Sequence, residues 1–342
     1  MRSISSPLSG FGSPFGGAIW TPAQVNPTLW MDAALPGLYT DTAGTVNVTA
    51  AAQAVARGLD RSGRGNTLLQ ATGAFRPIYS LAPPVARRNK LNYSSDLTVP
   101  AASGGWGKGG AASVADAGQV GPNGNAAQVI TYSGVTSLAN VYQATVPVVA
   151  GQTLTASIWI KAGSAPNMTL RFTDGDGTTI RGQTLVTPTG SFVRYQTPPA
   201  LMTVTGNAQF SLRGSFTAAG TVIVCDAQFE QASTPSAFQK TLSAYEYYET
   251  GYTSNGGLYF DRADDAMAAT IAAGFTGDEL LIGRNGYRVT ANTIAAGGTY
   301  TLSPPAAIGD LIAVVLAPTM SADTISQMTN YYAPRGGSQV AV

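Results

Sequence analysis

Histidine is absent from all 342 residues. Its absence removes the commonest general base, the side chain that titrates near neutral pH, and the commonest metal ligand. The one cysteine, Cys225, excludes an internal disulfide and a thiolate metal cluster. It ends the run Thr221-Val222-Ile223-Val224, which reads as a buried strand, so it is expected to be a small core hydrophobe rather than a reactive thiol. Charge is scarce too: charged residues make up 11% of the chain and the formal net charge is +1. That balance gives no electrostatic reason to expect nucleic acid or an anionic membrane as a partner. No apolar stretch reaches the roughly 18 residues of a membrane-spanning helix. The first residues carry Ser, Pro and Gly where a signal sequence would carry an apolar core. Gly17, Gly63 and Gly65 do not form a phosphate loop, because no Gly-Lys-Ser/Thr follows them.

What the chain does have is turn residues and short apolar alternations. From about Lys90 to Thr241, segments of period two are broken every ten residues or so by Gly, Pro, Asn and Asp. That is the pattern of a β-sandwich or jelly roll. The stretch opens with Asn89-Lys90-Leu91-Asn92-Tyr93-Ser94. It closes with Val224-Cys225-Asp226-Ala227-Gln228-Phe229-Glu230 and then Thr234-Pro235-Ser236-Ala237-Phe238. Both ends resemble the carbohydrate-binding-like jelly-roll module of structural proteins from tailed phages and related particles. In those modules an N-L-x-x-x-S-x-D/N-L type opening precedes the first strand, and an A-Q-x-E closing strand is followed by a T-P/S-x-x-x-x-T tail.

A second set of motifs flanks this stretch. Thr28-Leu29-Trp30-Met31-Asp32-Ala33, Asp60-Arg61-Ser62-Gly63-Arg64-Gly65-Asn66 and Ala74-Phe75-Arg76-Pro77-Ile78-Tyr79 precede it. Phe260-Asp261-Arg262-Ala263-Asp264-Asp265 follows it. Together they resemble a laminin-G or concanavalin-like β domain as found in phage proteins. The match departs at Gly58-Leu59, where a Trp is usual, and at Arg262, where a Gly is usual. About 75 residues remain after Met267, so a reduced version of that domain is implied. A C-terminal helix is expected with Ser321 as N-cap, Ile325, Met328 and Tyr332 at helical spacing, and Pro334 and Gly336-Gly337 as its end.

The expected fold class is therefore all-β. A jelly-roll β-sandwich at 89–241 is inserted into a reduced β domain formed by 20–88 and 242–342, with an extended arm at 1–19 and a short C-terminal helix. The arm carries Leu8, Phe11, Phe15 and Ile19 among Pro, Ser and Gly, too little apolar surface for a core of its own. It is expected to dock on another subunit.

Few residues suggest chemistry. Asp174-Gly175-Asp176-Gly177 resembles the start of a calcium loop, but Leu185 stands at the twelfth position where a Glu is required, and a hairpin turn is the better reading. Similar modules carry a structural Ca²⁺, yet no residue set here marks one. Asp226 and Glu230 lie four apart, on one face of a regular strand and ~13 Å apart at ~3.3 Å per residue, too far for a glycosidase pair. No catalytic residue, metal site or cofactor is expected.

The aromatic residues are the stronger lead. Ala156, Ile158 and Ile160 fit a core face, which turns Ser157, Trp159 and Lys161 outward. Met168, Leu170 and Phe172 likewise leave Arg171 outward, and Phe210 and Leu212 leave Gln209, Ser211 and Arg213 outward. If these strands share a sheet, Trp159 is flanked by Arg171 and Arg213 in the composition of a sugar platform. The competing reading has Trp159 covered by a loop, a domain or a subunit. Trp106, within Gly104-Gly105-Trp106-Gly107-Lys108-Gly109-Gly110, is either a ligand contact or an anchor for its loop.

The resemblance implies a non-enzymatic structural protein of a tailed phage or phage-like particle, in a spike, fibre or tail position. It would display a glycan-binding-like module on the particle surface after assembly in the host cytoplasm. The expected partners are host surface polysaccharide, copies of itself (a trimer, with a pentamer second) and other virion proteins through the arm, without nucleic acid or membrane insertion. The alternatives are a polysaccharide-degrading spike and an architectural capsid or tail decoration.

Overall fold

In a computed structural model of the chain, residues 20–342 are described apart from 84–86, 111, 134–138, 166, 215–218, 244, 251, 253, 262, 336 and 340. The arm at 1–19, Arg262 and Gly336 thus lie outside the described residues. The chain divides into two compact units. One gathers residues up to Val46, Ala56–Arg76 and Phe260–Val342; the other gathers Asn47–Val55 and Pro77–Tyr259. The expected junctions at 89 and 241 fall inside the second unit, because Ile78–Ala82 pairs with Asn255–Tyr259 and Gln239–Thr241 pairs with Tyr247–Glu249.

Within the second unit, eleven strands among the described residues form a sandwich. They are β1 (Gly107–Gly109), β2 (Ala112–Val120), β3 (Ala126–Tyr132), β4 (Ala139–Val148), β5 (Thr153–Ala162) and β6 (Met168–Asp174). They continue as β7 (Ile180–Val186), β8 (Val193–Gln196), β9 (Ala200–Leu201), β10 (Gly206–Gly214) and β11 (Gly220–Glu230). The first sheet runs β8-β5-β11-β3-β2, with β9 also on β5; the second runs β7-β6-β10-β4-β1. Alternation decides what each face buries. Ala156, Ile158 and Ile160 of β5, Leu170 and Phe172 of β6, and Phe210 and Leu212 of β10 fill one core. Phe172 and Phe229 meet there at 5.0 Å between ring centroids.

The opening and closing motifs are joined by hydrogen bonds. Asn89 is fully buried. Its Nδ2 donates to the carbonyls of Ala227 and Gln239 at 3.0 and 2.9 Å. Its Oδ1 accepts from the backbone of Leu91 and Phe229 at 3.2 and 3.1 Å. Lys90 N reaches Phe229 O at 2.7 Å and Ala227 N reaches Ser94 O at 2.9 Å, so the entering and leaving segments run side by side. This places the two ends of the sandwich together, as in domains that tolerate insertion.

In the first unit, Leu29–Asp32 pairs antiparallel with Leu311–Ala317, which pairs in turn with Phe275–Gly283. Asp60 organises the Asp-x-Ser-Gly-x-Gly-Asn motif. It accepts from Trp30 N at 3.1 Å, Ser62 Oγ at 2.7 Å and Asn66 N at 2.9 Å. The helix α1 spans Ala322–Tyr332, and its N-cap Ser321 accepts from Thr324 N at 3.2 Å. Met328 and Tyr332 are buried, and Trp30 Nε1 donates to Tyr332 Oη at 2.6 Å.

Candidate functional site

Trp159 and the two arginines do not share a sheet. Trp159 is on β5 of the first sheet, opposite Arg194 and Cys225. Arg171 on β6 and Arg213 on β10 belong to the second sheet. All three point away from the common core, and two sheets of one sandwich turn their outer faces in opposite directions. The expected platform of Trp159 between Arg171 and Arg213 is therefore corrected: its parts lie on opposite faces. Trp106 is corrected as well. It is 1% exposed, its Nε1 donates to Tyr93 O at 3.0 Å, and its ring meets Phe210 edge-on at 5.6 Å. Those contacts make it the anchor of the glycine loop.

Around Trp159 the nearest cations are engaged within the fold, although Arg194 Nε is buried without a partner among the described residues. Arg194 donates to Ser236 O at 2.7 Å and to Ser157 Oγ at 3.0 Å. Lys161 Nζ donates to Gln119 Oε1 at 2.9 Å. Cys225 is buried beneath Gly121, where an added Cβ would come 2.3 Å from the sulfur, and burial pushes its thiol pKa up. The register of β5 on β11 shifts between Ser157 and Trp159, and Asp226 takes a left-handed φ of 56°. This bulge changes the phase of β11. Cys225 and Gln228 face outward on either side of it, so Asp226 does not share a regular face with Glu230 as the sequence spacing suggests.

Both of those carboxylates are engaged. Asp226 accepts from Asn123 and Asn125 at 2.9 and 2.8 Å; burial raises its pKa and these amides oppose the rise. Glu230 accepts from Ser236 N at 2.8 Å and Ser236 Oγ at 2.6 Å, which ties the Thr-Pro-Ser tail to the strand. The Asp174–Gly177 segment is a turn: Gly177 N donates to Asp174 O at 2.9 Å, and Asp176 Oδ1 accepts from Thr178 and Thr179 at 2.8 and 3.0 Å. In the first unit, Asp261, Asp264 and Asp265 hold their carboxylate oxygens within 4.8 Å of one another. They serve their own turn, with Asp265 Oδ2 accepting from Asp261 N at 2.8 Å and Asp261 Oδ1 from Ala263 N at 2.9 Å.

The outer face of the second sheet is different. Its strand register aligns Gln183, Arg171, Ser211, Tyr142 and Gly107 in one row across β7, β6, β10, β4 and β1. The adjoining row holds Thr169, Arg213, Asn140 and Gly109. Gly107 and Gly109 leave room for the Tyr142 ring and the Asn140 amide to lie over the edge strand. Arg171 is 8% exposed and Ser211 1%, yet Arg171 Nε and Ser211 Oγ are buried with no hydrogen-bond partner among the described residues. Burial lowers the pKa of Arg171, and the neighbouring Arg213 lowers it further; burial also lowers that of Arg213.

A depression of about 350 Å³ continues from Tyr142, lined also by Arg87, Lys90, Asn92, Gln143 and Thr145. Tyr142 is the site residue that sequence reasoning passed over. Its signal was present in Val141-Tyr142-Gln143, where a buried Val141 turns Tyr142 outward, and in the Gly-x-Gly of the facing strand.

No protein-family model and no curated protein matches the chain. Solved structures similar to it include the enzymatically active domain of tailspike protein 4 from bacteriophage CBA120, at 14% identity and a TM-score of 0.34 over 42% of this chain. The chain spans 21% of that tailspike's length. A xylan-binding CBM22-1 domain from Paenibacillus barcinonensis is similar at 15% identity and a TM-score of 0.32, covering 44% of this chain and 100% of that one. A CBM61 module in complex with beta-1,4-galactotriose is similar at 16% identity and a TM-score of 0.34, covering 43% of this chain and 100% of that one. Likenesses of this size decide no residue and no ligand; the reading that follows rests on the side chains of the sandwich.

Proposed function

We propose that the chain is a non-enzymatic structural protein of a tailed phage or phage-like particle, and that it holds host-surface glycan on the outer face of its second sheet. The observation that carries the glycan part is the row Arg171-Ser211-Tyr142-Gly107 with its neighbours Asn140 and Arg213: a half-buried aromatic ring laid over a glycine, beside a half-buried amide and guanidinium on the same face of the sheet. A flat ring receives the apolar face of a pyranose while arginine and hydroxyl groups bind its hydroxyls. The particle part is supported by the opening, closing and flanking motifs, which resemble those of phage structural proteins. In this reading residues 1–19 attach the protein to the particle, and copies of it close as a trimer.

Binding of the intact protein to an array of bacterial surface glycans, run beside a depolymerisation assay on each glycan bound, tests this. Binding without cleavage, lost on Tyr142→Ala, is expected. Cleavage would move the protein to the degrading class, and absence of binding to any glycan would leave an architectural role.

A further inference from the structure

The chain is close to neutral, with 19 basic and 18 acidic residues. The candidate face does not share that balance. Arg171 and Arg213 are diagonal neighbours on β6 and β10, about 7 Å apart at their Cα atoms for such a pair. They point to one side of the sheet and repel each other, and no carboxylate among the described residues offsets either of them. Asp174, at the end of the same strand, is already bound by Arg181 at 2.8 Å. No hydrogen bond ties down the Arg213 side chain among the described residues, and Arg171 makes one, from Nη2 to Gly177 O at 2.8 Å. Beyond Tyr142 the depression is lined by Lys90 and by Arg87, whose guanidinium is held within the fold by Asn89 O, Leu91 O and Asn92 Oδ1, and by no acidic residue among the described residues. Lys90 is partly desolvated there, and burial followed by the nearby Arg87 lowers its pKa. Arg171, Arg213 and Lys90 beside the Tyr142 ring give this face a positive potential that favours an anionic ligand.

We infer that the glycan held on this face is acidic: a polysaccharide whose rings carry carboxylate or sulfate groups, running from Arg213 and Arg171 across Tyr142 into the cleft at Lys90. The inference rests on the glycan-binding reading above and adds the charge of the ligand. A carboxylate pairs with a guanidinium through two parallel hydrogen bonds, and the half-buried Arg213, whose side chain makes no hydrogen bond among the described residues, can supply both donors. A single-stranded nucleic acid is the competing polyanion, and a single aromatic without a continuous phosphate track favours the sugar.

The test measures binding of the intact protein to polygalacturonate, to its methyl ester, to dextran sulfate, to neutral dextran and to single-stranded DNA. Polygalacturonate is expected to bind at least ~10-fold more tightly than its ester. Arg213→Gln is expected to remove most of that preference, as for loss of one charge-assisted pair. Arg213 is only half-buried, so its variant tests the idea even if Arg171→Gln fails to fold. Dextran sulfate preferred with the same Arg213 dependence also supports an acidic ligand and assigns the sulfate source. Equal binding of the acid and its ester, unchanged by Arg213→Gln, overturns the inference and leaves the glycan-binding reading standing. Tighter binding of DNA overturns the inference. Binding to none of these probes, and to no glycan of the array, overturns both.

Discussion

The ring of Tyr142 lies over Gly107 so closely that a Cβ added to the glycine would be 2.5 Å from the ring's Cζ. The two residues are register partners on β4 and β1, and the glycine is what lets the ring lie against the edge strand. Gly107→Ala is expected to lift the ring. Because the clashing atoms are at the far end of a side chain that can swing, the stability cost should stay below ~1 kcal/mol. Glycan binding should fall as far as it does in Tyr142→Ala. Melting curves with array binding on the same samples check this; full binding by Gly107→Ala would show that the ring's position is immaterial.

Trp159 gives the contrasting expectation. It stands outward on the first sheet, opposite Cys225 and Arg194, and both terminal nitrogens of Arg194 are bonded within the fold. Trp159→Ala should leave glycan affinity unchanged while lowering the melting temperature modestly, through lost packing of a half-buried ring. Loss of glycan binding with an unchanged melting temperature would return the site to the first sheet.

The difference between these two aromatics shows where sequence reasoning stops. Period-two alternation identified the core sides of β5, β6 and β10, because one face of each is packed against the other sheet and a wrong phase would expose Ile158 or Phe210. Alternation says nothing about which sheet a strand joins. β5 and β6 follow each other in the chain yet belong to different sheets, so outward Trp159 and outward Arg171 are separated by the whole sandwich. The bulge at Asp226 was equally hidden. One residue in a left-handed conformation moves Asp226 out of phase with Glu230, and no composition rule marks it. Asn89 could be read as a motif residue, but its reason is long-range: it bonds the closing strand 138 residues further along the chain.

Asn89 therefore carries the next prediction. Asn89→Ala would leave the backbone donors of Leu91 and Phe229 and the carbonyls of Ala227 and Gln239 without that partner in a buried site. Buried polar groups left unpaired cost about 1–3 kcal/mol each, with partial relief by rearrangement, so a loss of roughly 3 kcal/mol is expected. Urea unfolding of the variant checks the size. A loss below ~1 kcal/mol would mean that the two ends of the sandwich are joined mainly by the strand ladder.

The last prediction concerns pH and the first unit. Asp32 ends the strand Leu29–Asp32 and is 2% exposed. Its Oδ1 accepts from Ala34 N at 2.9 Å, and its Oδ2 has no partner among the described residues. Burial pushes its pKa from 3.8 up to about 6, against the opposing fields of Arg335 and Arg61. A carboxyl with a raised folded pKa binds its proton more tightly when folded. Its contribution to stability is thus fully present below the unfolded value and is lost as pH rises toward the folded one. The window runs from about pH 4 to about pH 6, and a shift of that size corresponds to roughly 3 kcal/mol. Asp32→Asn keeps the Oδ1 acceptor and removes the titration. The stability of the variant relative to the unsubstituted protein should therefore increase steadily from pH 4 to pH 6 and level off above it. Urea midpoints measured for both proteins across that range decide the matter: a difference that stays flat would show that ionised Asp32 is satisfied in the folded protein.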